Sequence, residues 1–192
     1  MDMNEVQMKK KRNAKRMMLW FGIVSLTMTF AGLTSAYVVS KSRPDWEANL
    51  ELPDAFTWST LVIVLSSLCL IGAFRALKGQ KRMLTSSLVI ATFALGVVFI
   101  LLQIQGFNAI IDQGYYFTGE SSSVKSSYIY ILVVLHLAHL AAGMISLSVL
   151  LIKQLAGKYN PKHPLGFELA ATFWHFVDVL WILLFLFLTF FR

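Results

Sequence analysis

The sequence predicts an all-α fold, an integral membrane bundle of five transmembrane helices, and three observations predict it. Five apolar runs, at about 17–40, 58–77, 84–106, 128–152 and 168–191, each supply roughly the 20 residues that a helix needs to cross a hydrocarbon core of about 30 Å. Only 14% of the residues are charged and 57% are hydrophobic, whereas soluble domains carry about 25% charged residues. One water-facing core cannot hide that much apolar surface. The basic residues, finally, crowd into particular connections instead of spreading along the chain.

The first run follows a basic stretch, Lys9 to Arg16, and in outline resembles a leader peptide. From Met17 to Ser40 it is long enough to span, so it reads as a retained helix. Residues 1–16 then form a basic cytoplasmic segment, and 17–192 the membrane domain. The first connection, Lys41 to Thr57, holds Pro44, Pro53, Asp45, Glu47, Glu51 and Asp54, whereas the second, around Arg75, Lys78, Gly79, Lys81 and Arg82, is short and basic. These belong on opposite sides of the bilayer. The third, near Asp112 to Lys125, contains Gly114, Gly119 and a serine run, and the fourth holds Lys153, Gly157, Lys158, Pro161, Lys162 and Pro164; both have the composition of interfacial turns. With the N-terminus in the cytoplasm, thirteen Lys and Arg lie inside and four outside (Lys41, Arg43, Lys125 and Arg192). Because Lys and Arg resist translocation, this asymmetry predicts a cytoplasmic N-terminus and a periplasmic C-terminus.

Composition also narrows the function. The net charge of +7 sits beside apolar runs and therefore suits lipid headgroups, not nucleic acid. The single cysteine, Cys69, lies within an apolar run, which leaves no internal disulfide and no thiolate cluster. The halves show no repeat, and five spans do not divide into the paired halves of an inverted-repeat transporter.

Helices in lipid reveal their contact faces by small and polar residues at helical spacing. This predicts contact stripes at Gly22, Ser25, Thr29, Gly32 and Ala36 in the first span, at Ser59, Ser66, Cys69 and Ala73 in the second, and at Gly96, Phe99, Gln103 and Gly106 in the third. Gln103 is the polar group at depth that most needs a partner. In the fourth span His136, His139, Gly143 and Ser146 share a sector. Two histidines cannot complete a zinc site, which takes about four ligands, and bis-histidine haem needs axial ligands on opposed helices. His175 of the fifth span could face them, so a metal or haem site stands beside the simpler expectation of histidines hydrogen-bonded within the bundle or near its rim.

The fifth span carries the strongest anomaly. Glu168, Ala171, His175 and Asp178 lie within about 80° of one another, while Trp174 and Trp181 share another face, so the two surfaces are expected to meet different surroundings. An ionisable residue within a membrane costs about 3 kcal/mol on insertion scales, so the stripe should turn inward and pair there. Glu168 falls near the cytoplasmic rim and Asp178 deeper. A carboxylate beside a histidine reads either as a structural pair or as a proton relay.

The run Gly166-Phe167-Glu168, then Trp174-His175-Phe176-Val177-Asp178-Val179 and Trp181, closely resembles the last-helix signature of subunit III of haem-copper cytochrome oxidases. Leu95-Gly96-Val97-Val98-Phe99 with Leu101-Leu102-Gln103, then His136, His139 and Gly143, follow in matching order, and Ser66, Ser67 and the exit Arg75-Ala76-Leu77 resemble the bacterial members. The resemblance runs from about Met17 to the end and fits the short five-helix bacterial form. It implies a non-catalytic accessory subunit in a bacterial inner membrane, contacting oxidase subunit I and subunit II, with a larger respiratory supercomplex as a wider setting. Haem and copper would belong to the partner subunits and none to this chain, while phospholipid would bind between helices and proton uptake would be supported. Gln103, His136, His139, Glu168, His175 and Asp178 are the candidate bundle or lipid-cleft residues. Two positions depart from the family pattern. Leu26 stands where many members have a membrane-embedded glutamate, and no acidic residue stands near Gly106. A related subunit of a quinol oxidase or nitric oxide reductase, or an independent haem protein or proton carrier, are the alternatives.

Overall fold

The computed structural model describes residues 3–43, 46, 52–114, 124–157, 159 and 164–190, with side chains from Val6 onward. The described residues form five helices in order: α1 (Met3–Ser40), α2 (Asp54–Lys78), α3 (Arg82–Asp112), α4 (Val124–Leu155) and α5 (Leu165–Phe190). All five are long and apolar enough to cross a membrane. The five runs are therefore helices as expected, but several extend well past their apolar cores.

The basic stretch and the first span share one helix, because α1 runs unbroken from Met3. Alanine, lysine, arginine and methionine all favour helix, and no Gly or Pro interrupts residues 3–21. α3 continues six residues beyond Gly106 to Asp112. The connections are correspondingly shorter than their composition suggested. Asp54–Thr57, Lys125 and Lys153 are all helical, and Lys125 is buried, not loop-exposed. Pro44, Asp45, Glu47, Glu51, Gly119, Lys158, Pro161, Lys162 and Arg192 lie outside the described residues, as does the expected end of the last span at 191.

The tightest connection joins α2 to α3. The Gly79 and Gln80 amides donate to the carbonyls of Arg75 and Leu77, and Lys81 N–H reaches Ala76 O at 3.0 Å. Gln80 makes the reversal with φ of +58°, a left-handed conformation that side chains other than glycine adopt at a cost. The result is an antiparallel hairpin.

Helix contacts define a closed ring in which α2 touches α3, α3 touches α4, α4 touches α5 and α5 returns to α2, while α1 lies outside against α4 and α5. Two indoles from α5 brace the ring. Trp174 donates from Nε1 to Ser66 Oγ of α2 at 3.1 Å, and its ring lies over Gly96 of α3 and Gly143 of α4. Two turns further on, Trp181 donates to Thr60 Oγ1 of α2 at 3.0 Å and packs on Phe99 of α3 and His136 of α4. Each strut thus spans from α5 to the three other helices of the ring.

The predicted stripes of α2 and α3 are largely interior: Ser59, Ser66 and Ala73, and Gly96, Phe99, Gln103 and Gly106, are all buried, with Cys69 half-buried. The stripe of α1 is a miss. Gly22, Ser25, Thr29 and Gly32 are exposed, and the buried face is Ile23, Phe30 and Tyr37, spaced by seven. A helix outside a closed ring meets neighbours on one side only, and α1 fills the α4–α5 groove with large side chains, leaving its small residues outward.

Candidate functional site

The six candidate residues do not form one site. Gln103 behaves as expected, donating from Nε2 to Ser59 Oγ at 2.9 Å across the α2–α3 seam. Its Oε1 is buried without a partner among the described residues. The seam is close because Gly106 lets Phe56 of α2 approach: a Cβ there would stand 2.9 Å from the phenyl ring.

The histidines diverge. His136 points into the ring, 5.0 Å from the Trp181 ring centroid and edge-on to Phe99 at 6.2 Å. Both its ring nitrogens are buried with no hydrogen-bond partner among the described residues, contrary to the expected bonded histidine. His139, one turn on, faces outward to α1, with its ring against Phe30 at 5.8 Å and Nδ1 hydrogen-bonded to Leu135 O at 2.7 Å. His175 turns to α2, where Nδ1 and the Ser67 hydroxyl share a hydrogen bond. Three histidines on three sets of neighbours do not converge, and among the described residues no group of three His, Cys, Asp or Glu could hold a metal ion.

The α5 stripe is inward, as its cost in lipid requires, but its members do not pair with one another. Glu168 binds Arg16 of α1, Oε2 to Nη2 at 2.6 Å, a partner supplied by the basic segment. Spacing alone does not reveal it, because the two residues are 152 positions apart. Asp178 is buried, and Ser67 faces it, though without hydrogen-bond geometry, so both carboxyl oxygens remain unpartnered among the described residues. Ser67 therefore stands between His175 and Asp178, where a direct pair was expected. The two surfaces do meet different surroundings: the indoles turn to the centre of the ring, while on the stripe His175 turns to α2 and Glu168 to α1.

Two clefts flank α5. One of about 510 Å³ lies against α1, lined by Phe30, Thr34, Leu184 and Phe187 among other side chains, and is almost wholly apolar. The other, about 360 Å³, lies against α2 and holds Arg75, Lys78, Glu168, Thr172 and His175. Lys78 Nζ sits 4.4 Å above the Phe74 ring at its edge, a cation–π contact. Sequence reading named the charged residues of the second cleft but not their meeting, which depends on how α2 and α5 face each other.

A lipid-spanning helical bundle, braced by its own aromatic residues and with its ionisable groups turned inward on one helix, is the class of protein that this architecture defines. The match to the family described as Cytochrome c oxidase subunit III extends over residues 11–192. Similar proteins include the probable cytochrome c oxidase subunit 3 of Mycobacterium tuberculosis (strain ATCC 25618 / H37Rv), 30% identical over 86% of this chain and 82% of its own length. The cytochrome c oxidase subunit 3 of Bacillus sp. (strain PS3) is also 30% identical, over 86% of this chain and 80% of its own. That of Papio hamadryas is 31% identical over 85% of this chain but only 64% of its own. This chain belongs to the cytochrome c oxidase subunit III family, and with it to a multi-pass membrane component of an oxidase complex.

Proposed function

We propose that this chain is a non-catalytic accessory subunit of a bacterial terminal oxidase, seated beside subunit I with its N-terminus cytoplasmic, stabilising the core and holding phospholipid. Haem, copper and oxygen chemistry belong to the partner subunits. The observation that carries this reading is the use made of the family signature in α5: Trp174 and Trp181 are struts that close the four-helix ring through Ser66 and Thr60. Its most distinctive residues thus serve packing. The two clefts beside α5, one apolar and one edged by Arg75 and Lys78, suit the tails and headgroups of lipid respectively.

Purification through a tag on this chain from native membranes tests the reading. A haem-copper subunit with oxygen-reducing activity should copurify, and recovery of unrelated partners alone would overturn it. The copper-binding residues of that partner then distinguish a cytochrome c oxidase from a quinol oxidase.

Support for proton uptake is the finer part of the proposal, and the residues for it are His175, Ser67 and Asp178. Asp178→Asn separates two roles. If the carboxyl serves only folding, assembly falls while the pH profile of the assembled oxidase stays unchanged; a proton role shifts that profile at normal assembly.

A further inference from the structure

We propose that the N-terminal stalk of α1 is a collar that binds anionic phospholipid headgroups, a site separate from the clefts beside α5. The inference concerns this chain itself and stands independently of its role in an oxidase. α1 is continuous over 38 residues, about 57 Å at 1.5 Å per residue, nearly twice the hydrocarbon thickness of about 30 Å. Its apolar part begins at Met17, so the helix must emerge from the membrane carrying Lys9, Lys10, Lys11, Arg12, Lys15 and Arg16, all of them exposed.

Axial position comes first. Lys9 lies eight residues before Met17, about 12 Å along the axis, so the six cations occupy the headgroup layer and roughly one Debye length of about 8 Å beyond it. Direction comes second. With successive residues turned by about 100°, the six side chains point all round the helix and leave no gap wider than about 100°. A flat protein partner would engage one face of such a stalk, whereas lipid headgroups surround it. Among the described residues Arg16 turns to protein, meeting Glu168 of α5, and so fixes the foot of the collar against the bundle. The charges of the other helices at this end reinforce the sign: Arg75, Lys78, Lys81 and Arg82 are exposed there, and Glu168 is already engaged by Arg16. Clusters of four to eight basic residues just outside a membrane helix attract anionic lipid, each contributing roughly fivefold in affinity near the surface.

The test uses the full chain in phosphatidylcholine vesicles containing a trace of spin-labelled phosphatidylglycerol or phosphatidylcholine. The motionally restricted fraction of each label gives their relative association. The unmodified chain should prefer phosphatidylglycerol several-fold at low ionic strength, and added salt should erase the preference. Replacing Lys9, Lys10, Lys11 and Arg12 together by Gln should remove most of that preference, with Arg16 kept so that its bond to Glu168 survives. No preference in the unmodified chain, or one that persists in the variant, overturns the proposal. So does a variant with unchanged lipid preference in vesicles that, when purified from native membranes, loses its partner subunits in a salt-sensitive way, since the collar would then be reading an acidic protein surface. The salt titration of the unmodified chain does not depend on how the variant inserts.

Discussion

Gly96 and Gly32 are the same residue type in the same kind of helix and should respond oppositely to a side chain. At Gly96 a Cβ would come within 2.9 Å of Trp174 and 2.8 Å of Met144, whereas at Gly32 nothing stands within 4 Å. Gly96→Val is expected to overpack the ring and lower stability by about 1–3 kcal/mol. Gly32→Ala should be neutral or gain up to about 1 kcal/mol from helix propensity. Thermal unfolding of the two purified variants compares them directly. Ser59→Ala leaves Gln103 Nε2 without its acceptor and should cost about 1 kcal/mol, the scale of interhelical hydrogen bonds in membranes, read by the same melts. The sequence announces Gln103 as a residue in need of a partner, but not which serine supplies it, because partner choice follows from helix register.

The helices themselves were legible, because apolar length is set by the bilayer and hardly depends on tertiary context. Their ends were not. Charged residues such as those of α1 and Lys153 of α4 continue a helix as readily as they begin a loop, and only the structure shows that they do continue it. The contact face of α1 was misjudged for a different reason: small residues mark where a helix could be approached closely, not whether a neighbour is there. α1 is held by large side chains, and its ion pair is a secondary support. Phe30, buried against His139, should cost roughly 2 kcal/mol or more when changed to Ala. Arg16→Ala should cost less than about 1 kcal/mol, because the Arg16 side chain is 47% and Glu168 30% exposed. Disulfide trapping between cysteines placed on α1 and α5 would show the looser attachment in the Phe30 variant. In the α2–α3 turn, Gln80→Gly should be tolerated or mildly stabilising and Gln80→Val destabilising by about 1 kcal/mol or more, since the position is left-handed; chemical denaturation of the hairpin variants decides it.

At the scale of the molecule, a closed ring with one helix outside implies two levels of stability. α2 to α5 share the tryptophan struts and the glycine contacts, whereas α1 rests on the α4–α5 groove and is bound to it through Arg16, Phe30 and Tyr37. Opening should therefore begin with α1 and leave the ring intact. Hydrogen exchange in detergent is expected to report faster exchange along α1 than along α3 or α5, and uniform exchange would contradict it. The pattern of the α5 stripe foretold an inward, costly surface; that Glu168 would turn to α1 while His175 and Asp178 turn to Ser67 of α2 was hidden, because one helix's periodicity says nothing about which neighbours surround it.

Four of the five tryptophans fall into two optical populations, the fifth, Trp46, being half-buried against Tyr37. Trp20 and Trp58 are 59% and 63% exposed on the outer surface, while Trp174 and Trp181 are sealed within the ring. Brominated acyl chains should extinguish the emission of the first pair and spare the second, so steady emission that survives such lipids would come mainly from the interior. A shift in that residual emission then becomes a signal of the ring loosening, available for the purified chain in a reconstituted bilayer and without altering a residue.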